Sequence, residues 1–347
     1  MAEFRVSSWG ELNERLFAGS WYQPHGRFRS PFLFRGLPDW RYDRRTSLCR
    51  LGGSYASVED DLLRNFRKYA SKMPSGHEAA TYDSWWNWLA IGQHYGLPTR
   101  LLDWTFSPNT ALHFVTAKFS LFATDGVVWC IDFIKARRYL PPSLKAILKK
   151  DDAVFFTAEM LDRYAPTLEE FDKRVEGEAG DCVIFFEPPS LDDRIVNQAA
   201  VFSMISSPSR QLEEWLADKE TEQPELFTKI IIPAVLKWEL RDKLDNANVT
   251  ERVIFPGLDG LSKWLRRYYS PNHLIEVDYG ERRFLGRIQK IENLLMTLTL
   301  YEGDQPVRDT KITSKPGSVW WDTEQGQEVK VFPKPDRLGE FPHWSPA

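Results

Sequence analysis

The chain has 347 residues, of which 42% are hydrophobic and 27% charged, with a formal net charge of −4. That composition fills a substantial core and excludes intrinsic disorder; the acidic balance excludes nucleic-acid binding through a broadly basic surface. Cys49, Cys130 and Cys182 have no CxxC spacing, which reads as free thiols in a reducing compartment and excludes a disulfide framework.

The polar N-terminus lacks the apolar stretch of a signal peptide, and no segment approaches the roughly 20 apolar residues that span a bilayer. The expectation is a cytoplasmic protein with no membrane partner. Ser8 caps a helix running to about Phe17, with Glu11 as its capping-box partner. PFLFR (31–35) reads as a short buried strand stopped by Gly36 and Pro38. Helices follow over about 57–73, with Leu62, Leu63, Phe66 and Tyr69 on one face, and over 79–95. The second is closed by Gly96 and Pro98, and its Trp85, Trp86 and Trp88 read as core before they read as a base-stacking platform.

RLLDWTFSP gives a short strand broken at Pro108, and Ala111, Leu112 and Phe114 open a helix. GVVWCIDF (126–133) and DCVIFFE (181–187) are uninterrupted apolar runs of the kind central strands show. A charged helical stretch, 143–176, separates them, with a break near Asp151. Residues 194–206 read as a strand, KIIIP (229–233) as another, and helices follow over 234–246 and 258–268. From about 292 strand and turn alternate. The fold class predicted is α/β (α+β), with a mixed central sheet flanked by helices over 1–275. A small, separately packed antiparallel β element with a Pro-rich tail occupies 276–347.

Two local patterns carry chemistry. In Gln93-His94-Tyr95-Gly96-Leu97-Pro98-Thr99-Arg100-Leu101-Leu102-Asp103 many hydrogen-bonding side chains crowd a helix end, a tight turn and a strand. They form either an internal polar network, with Arg100 paired to Asp103 or capping the helix, or a ligand cleft. In Phe34-Arg35-Gly36 an arginine ends an apolar strand. Its guanidinium forks onto an anion such as phosphate, or pairs internally, with Asp103 as the nearest candidate. His94 is a candidate general base, although no nucleophile elbow, G-x-G-x-x-G or Walker-type loop accompanies it. The six histidines lack metal-ligand spacing, so no metal is expected.

The Phe34-Arg35-Gly36 tripeptide, Ser47-Leu48-Cys49-Arg50 and the QHYGLPTRLLDWTFSPNTALHFV run resemble the FRG domain family. Arg194-Ile195 with Gln198 and Phe202, and FPGLDGL (255–261), extend the resemblance over about 5–268. The strand-Arg-Gly pattern, followed by a Ser/Thr-rich strand end and a helix reading Ala-x-x-Phe, is also similar to the NAD-binding core of ADP-ribosyltransferases. That likeness implies NAD as substrate, with Arg35 and Gly36 on the dinucleotide, Thr105 and Ser107 bracing the ribose, and Gln93, His94, Arg100 and Asp103 shaping the pocket. It implies glycosyl transfer or NAD cleavage, as in a toxin or phage-defence effector, on an acceptor the sequence does not identify. The late glutamate such transferases use is missing: Gln198 stands in its region without a charge to steady a cation, and neither Glu187 nor Glu251 matches a motif. A non-catalytic module that recognises a nucleotide, nucleic acid or protein partner is the alternative.

Overall fold

The computed structural model describes residues 2–52, 55–70, 83–190, 192–270 and 274–334. Seven strands form one sheet: β1 (Ala2–Arg5), β4 (Phe32–Leu37), β5 (Leu101–Thr105), β6 (Gly126–Asp132), β7 (Val183–Phe186), β8 (Ala200–Ile205) and β9 (Phe227–Ile232), in the order β1-β9-β6-β4-β5-β8-β7. Two-residue strands β2 (Trp21–Tyr22) and β3 (Arg27–Phe28) make a separate ribbon. Only the β1–β9 pair of the sheet is parallel, so the sheet is mixed, as predicted.

Helices cover both faces of this sheet. On one face α1 (Trp9–Phe17), α4 (Pro108–Val115) and α11 (Leu236–Asn246) pack on β9, β6 and β4. Beside them α2 (Tyr55–Ala70), α3 (Trp85–His94), α6 (Pro142–Lys150), α7 (Ala158–Tyr164) and α8 (Leu168–Ala179) pack on β5, β8 and β7. The opposite face holds one continuous core under α5 (Phe133–Ala136) and α10 (Leu212–Glu220). The short helices α9 (Asp193–Asn197) and α12 (Glu251–Ile254) precede α13 (Leu258–Tyr268). Trp86 and Trp88 are buried, packing as core against Phe171 and Phe66.

Several expectations shift. The run at 181–187 is an edge strand, not a central one. Its continuous apolar character reflects burial on both faces, with Ile184 in one core and Val183 in the other. Residues 194–206 split into a helix capped by Asp192 and strand β8, because Ala199 turns the chain at φ +46°. Strand β1 was not expected: it is four residues long, and its Ala2 and Phe4 alternate with Glu3 and Arg5, which pair with Lys229 and Asp125. Ser8 caps α1 as predicted, but Glu11 accepts from the Ser7 amide instead of closing a box on Ser8. The ends expected for the 57–73 helix beyond Ala70, residues 79–82 and the Pro-rich tail beyond 334 lie outside the described residues.

The C-terminal element is a closed antiparallel barrel of β10 (Leu274–Asp278), β11 (Arg283–Glu292), β12 (Leu295–Glu302), β13 (Gln305–Lys315), β14 (Val319–Asp322) and β15 (Gln327–Pro333). Its core is not separate from the sheet unit. Phe122, Ala234, Val235 and Trp238 enter the cluster formed by Ile275, Leu298, Ile312 and Trp320, and the Trp320 indole donates to the Ala123 carbonyl at 2.7 Å. Asp125 is buried at this junction, where it accepts from Arg5 and from the Ala234 amide at 2.5 and 2.8 Å. Removing the barrel therefore uncovers apolar surface. A chain ending at Ser270 is expected to aggregate and to bind a hydrophobic dye. A soluble 1–270 fragment with a cooperative melt would show the barrel to be dispensable.

Beneath α4, His113 is fully buried and its Nδ1 lies 3.1 Å from the Arg241 guanidinium. Burial, reinforced by Arg241, pushes its pKa down to about 4. The unfolded chain thus takes up a proton below its ordinary pKa of about 6.5 that the folded chain refuses until about pH 4. This stability is present above pH 6.5 and is lost as pH falls to 4, by on the order of 3 kcal/mol. Urea titrations between pH 7 and 4 should show a shallower acid loss for His113→Gln than for the wild type.

Candidate functional site

The sheet is weakest where β4 meets β5. Only Phe34 and Thr105 pair across this seam, whereas β4 pairs with β6 along its whole length. Arg35 bridges the seam, its Nη1 donating to the Asp103 backbone carbonyl at 2.6 Å. The Asp103 carboxylate is 3.8 Å away and 59% exposed. Its Oδ2 accepts from Gln93 Nε2 at 2.9 Å. Gln93 Oε1 in turn accepts from the Thr99 hydroxyl at 2.6 Å, and the Thr99 amide donates to Ser47 Oγ at 3.0 Å. Arg35, Asp103, Gln93, Thr99 and Ser47 are thus one connected network at the end of α3 and the start of β5.

The Arg35 guanidinium is poorly compensated. Its side chain is 16% exposed and its Nε is buried without a partner. Burial pulls its pKa down, Asp103 opposes that, and the neighbouring Arg50 cation adds to the lowering. A desolvated cation next to a second cation favours a bound anion.

Turn chemistry sets this geometry. Gly96 leaves α3 at φ +84°, and the Leu97 amide returns to the Gly92 carbonyl at 2.8 Å, so Pro98 follows a closed helix end. Gly36 has a packing duty that its ADP-ribosyltransferase likeness does not include. A Cβ there would stand 1.8 Å from the Ala111 carbonyl oxygen, so the glycine lets α4 lie directly on β4.

The remaining candidate residues fall into three places. Thr105 Oγ1 donates to the Gln198 carbonyl at 2.6 Å and accepts from the Ser107 amide at 3.0 Å. Ser107 caps α4 by accepting from the Thr110 amide at 3.2 Å. The Gln198 side-chain amide donates to the Ile254 carbonyl at 3.1 Å. His94 Nε2 lies 2.9 Å from Asp192 Oδ2, and Asp192 Oδ1 caps α9, the helix that Gln198 follows. Arg100 stands apart from all of these.

Arg100 neither pairs with Asp103 nor caps α3. It is buried and bound by Glu59 of α2 and Asp172 of α8, each through both carboxylate oxygens or two contacts below 3 Å. Burial pushes the Asp172 carboxyl up to about 7 even beside Arg100. The triad joins two helices to the start of β5, a distance in sequence that no local motif reveals. Glu251 is likewise committed, to Arg267 at 2.5 Å. Asp192 and Ser47 were missed as site residues. The Asp-Asp-Arg-Ile pattern of a helix start signals the first, and the second lies inside the Ser-Leu-Cys-Arg motif. Among the described residues no cluster of His, Cys, Asp and Glu is arranged to hold a metal ion.

Two glycine substitutions separate packing from turn chemistry. Gly36→Ala forces helix backbone away from the sheet and should cost about 3 kcal/mol. Gly96→Ala meets open space and bears only the left-handed backbone penalty of about 1 kcal/mol. Urea unfolding of the two variants measures the difference; equal losses would mean that α4 shifts freely.

A search of curated proteins and a search of solved structures each found no match. The family model of the FRG domain matches residues 30–122, less than the 5–268 that the motifs had marked and well short of half the chain. The matched segment runs from just before β4 through α2, α3, β5 and α4, which are the elements that build the seam. The chain therefore carries an FRG domain, and Arg35 of its name-giving tripeptide is the residue that bridges β4 and β5.

Proposed function

We propose that the seam between β4 and β5 binds the phosphate of a nucleotide, with NAD or a related dinucleotide as the ligand. The observation that carries this is the state of the Arg35 guanidinium: desolvated, unpaired at Nε, held by one carbonyl with the Asp103 carboxylate 3.8 Å away, and repelled by Arg50. A phosphate would take the place of the missing acceptor and neutralise both arginines. Asp103 and Gln93, already linked to each other, would stand beside the ligand's polar edge.

Binding is better supported than turnover. ADP-ribosyl transfer or NAD cleavage needs a carboxylate to hold the ribose hydroxyl and steady the oxocarbenium-like transition state. Thr105, Ser107 and Gln198, which the resemblance would assign to the ribose and the reaction, are engaged with backbone groups. One observation favours the catalytic reading: the half-exposed Asp103 carboxylate sits 3.8 Å from Arg35, beside the proposed phosphate site. A toxin or defence effector belongs to that reading, and a recognition module for a nucleotide or a nucleotide-bearing partner to the other.

Calorimetry with NAD, ADP-ribose and ADP tests both. Wild type should bind at least one of them. Arg35→Ala should lose about 2–5 kcal/mol of binding and only about 1 kcal/mol of stability, the net worth of its one carbonyl contact. Arg35→Lys should recover little, since an ammonium cannot fork. If wild type binds none of the three and Arg35→Ala unfolds, Arg35 is purely structural. Nicotinamide release by wild type that disappears in Asp103→Asn, with NAD binding retained, would establish catalysis.

A further inference from the structure

The chain between α1 and β4 forms a ribbon whose residues from Trp21 to Arg29 are all exposed. Strands β2 and β3 pair Trp21 with Phe28 and Tyr22 with Arg27. Side chains opposite each other in such a pair share a face, so Trp21 and Phe28 occupy one face, Tyr22 and Arg27 the other, and neither is covered. The ribbon is nonetheless held in shape. A turn over Gln23–His25 closes at Gly26, at φ +56°, whose amide donates to the Gln23 carbonyl at 3.2 Å. At the base the Arg29 amide donates to the carbonyl of buried Ser20 at 2.5 Å. That bond continues the ladder and puts Arg29 on the same side as Arg27 and Tyr22.

Large rings ordinarily go to the core, yet Trp21, Tyr22 and Phe28 are 54%, 45% and 66% exposed. They are ordered among themselves: the Trp21 and Phe28 rings meet edge to face at 5.2 Å, and those of Tyr22 and His25 lie 5.1 Å apart. The charge here is uncompensated as well. No carboxylate occurs between Glu14 and Asp39. Arg29 donates only to the carbonyl of its neighbour Phe28, and neither Arg27 nor Arg29 has a carboxylate partner among the described residues.

We infer that this ribbon binds single-stranded nucleic acid. A base stacks on Tyr22 while Arg27 and Arg29, on the same face, take the adjoining phosphates; Trp21 and Phe28 receive a second base on the other face. Flat rings interleaved with unpaired guanidinia match what an unpaired strand presents, a π-face on each base and a charge on each phosphate. A duplex keeps its bases stacked on each other and offers no free face to a ring. A lipid surface fits less well. Segments that insert into lipid bring aliphatic side chains, and no Leu, Ile, Val or Met occurs between Phe17 and Phe32. The acidic net charge of −4 leaves room for such a local contact, because the basic residues are concentrated in this acid-free segment. The inference is independent of the phosphate site at Arg35.

Fluorescence anisotropy of labelled oligo(dT) and oligo(U), about 20 nucleotides long so as to exceed the site, tests it on the full chain. Saturable binding to at least one of them is expected. Two phosphate contacts predict a roughly sevenfold loss of affinity from about 50 to about 200 mM salt. Tyr22→Ala and Trp21→Ala should each weaken binding about tenfold. Arg27→Glu with Arg29→Glu should abolish it, and the melting temperature should not change in any of these variants, since every substituted side chain is exposed. Arg35→Ala should bind the oligonucleotides as wild type does, so that failure of the seam site and failure of the ribbon are read separately. A wild type that binds neither oligonucleotide overturns the inference. So does binding that survives the ribbon variants, or a duplex of the same length bound as tightly as the single strand. Ribbon-dependent binding to phosphatidylserine-containing vesicles without binding to either oligonucleotide would assign the ribbon to a membrane surface instead.

Discussion

Much of this molecule depends on how one unmade strand pairing is compensated. Strands β4 and β5 share a single residue pair, which leaves backbone polar groups inside the sheet without a ladder partner. Arg35 gives the exposed Asp103 carbonyl a partner by donating across the gap, a contact worth about 1 kcal/mol net. The exchange is unequal. It satisfies the carbonyl but leaves a desolvated charge with one unpaired nitrogen. Bridging the seam and leaving a partly satisfied cation there are therefore the same event, and α4, seated on Gly36, fixes the strand that makes it.

The chain's other unsatisfied arginines show why Arg35 differs. Arg44, Arg194, Arg241 and Arg308 also carry a buried Nε without a hydrogen bond. Arg44 stacks 3.8 Å over Trp129, Arg194 lies 5.1 Å over Phe255 and Arg308 5.0 Å over Tyr279, so each has an aromatic face to absorb its charge. Arg241 meets the Asp245 carboxylate at 3.0 Å. Arg35 has a carbonyl, a carboxylate 3.8 Å distant that already serves Gln93, and Arg50 as a repelling neighbour. The anion site proposed at the seam would need its cation held in place and not fully paired, which an ion pair at full contact would prevent.

Legibility followed the range of the interaction. The Ser8 cap and the Gly96 turn were readable because each is decided within one helix turn, and the burial of Trp86 and Trp88 because large apolar rings favour the core. The Arg100 triad was not, since Glu59 and Asp172 lie 41 and 72 residues away and the sequence offers Asp103 as a nearer partner. Strand β1 went unread because it is only four residues long, too short for its alternation of Ala2 and Phe4 with Glu3 and Arg5 to stand out, and the counter-ions of those charges belong to other elements. At 181–187 the hydrophobic run reported burial correctly, but burial on two faces does not distinguish an edge strand covered by helices from a central one. Of the candidate site, residue types located the seam, whereas which side chains are occupied with backbone and which remain available is a property of contacts between β5, α9 and α12.

The same division between occupied and available groups governs α13. Its sequence has a strong apolar stripe, and the amphipathic rule would turn that stripe inward. What overrules it is the network of Arg267 and Arg241 with Asp245 and Glu251. Buried Arg241 and half-buried Arg267 repel and require those carboxylates, and losing Arg267 would leave the buried Glu251 without its partner at a cost of about 3–5 kcal/mol. Burying the stripe instead would gain about 25 cal/mol per Å² of apolar area. For three leucines already part-covered, that gain does not exceed the penalty. The helix therefore keeps its charges inside and its leucines outside.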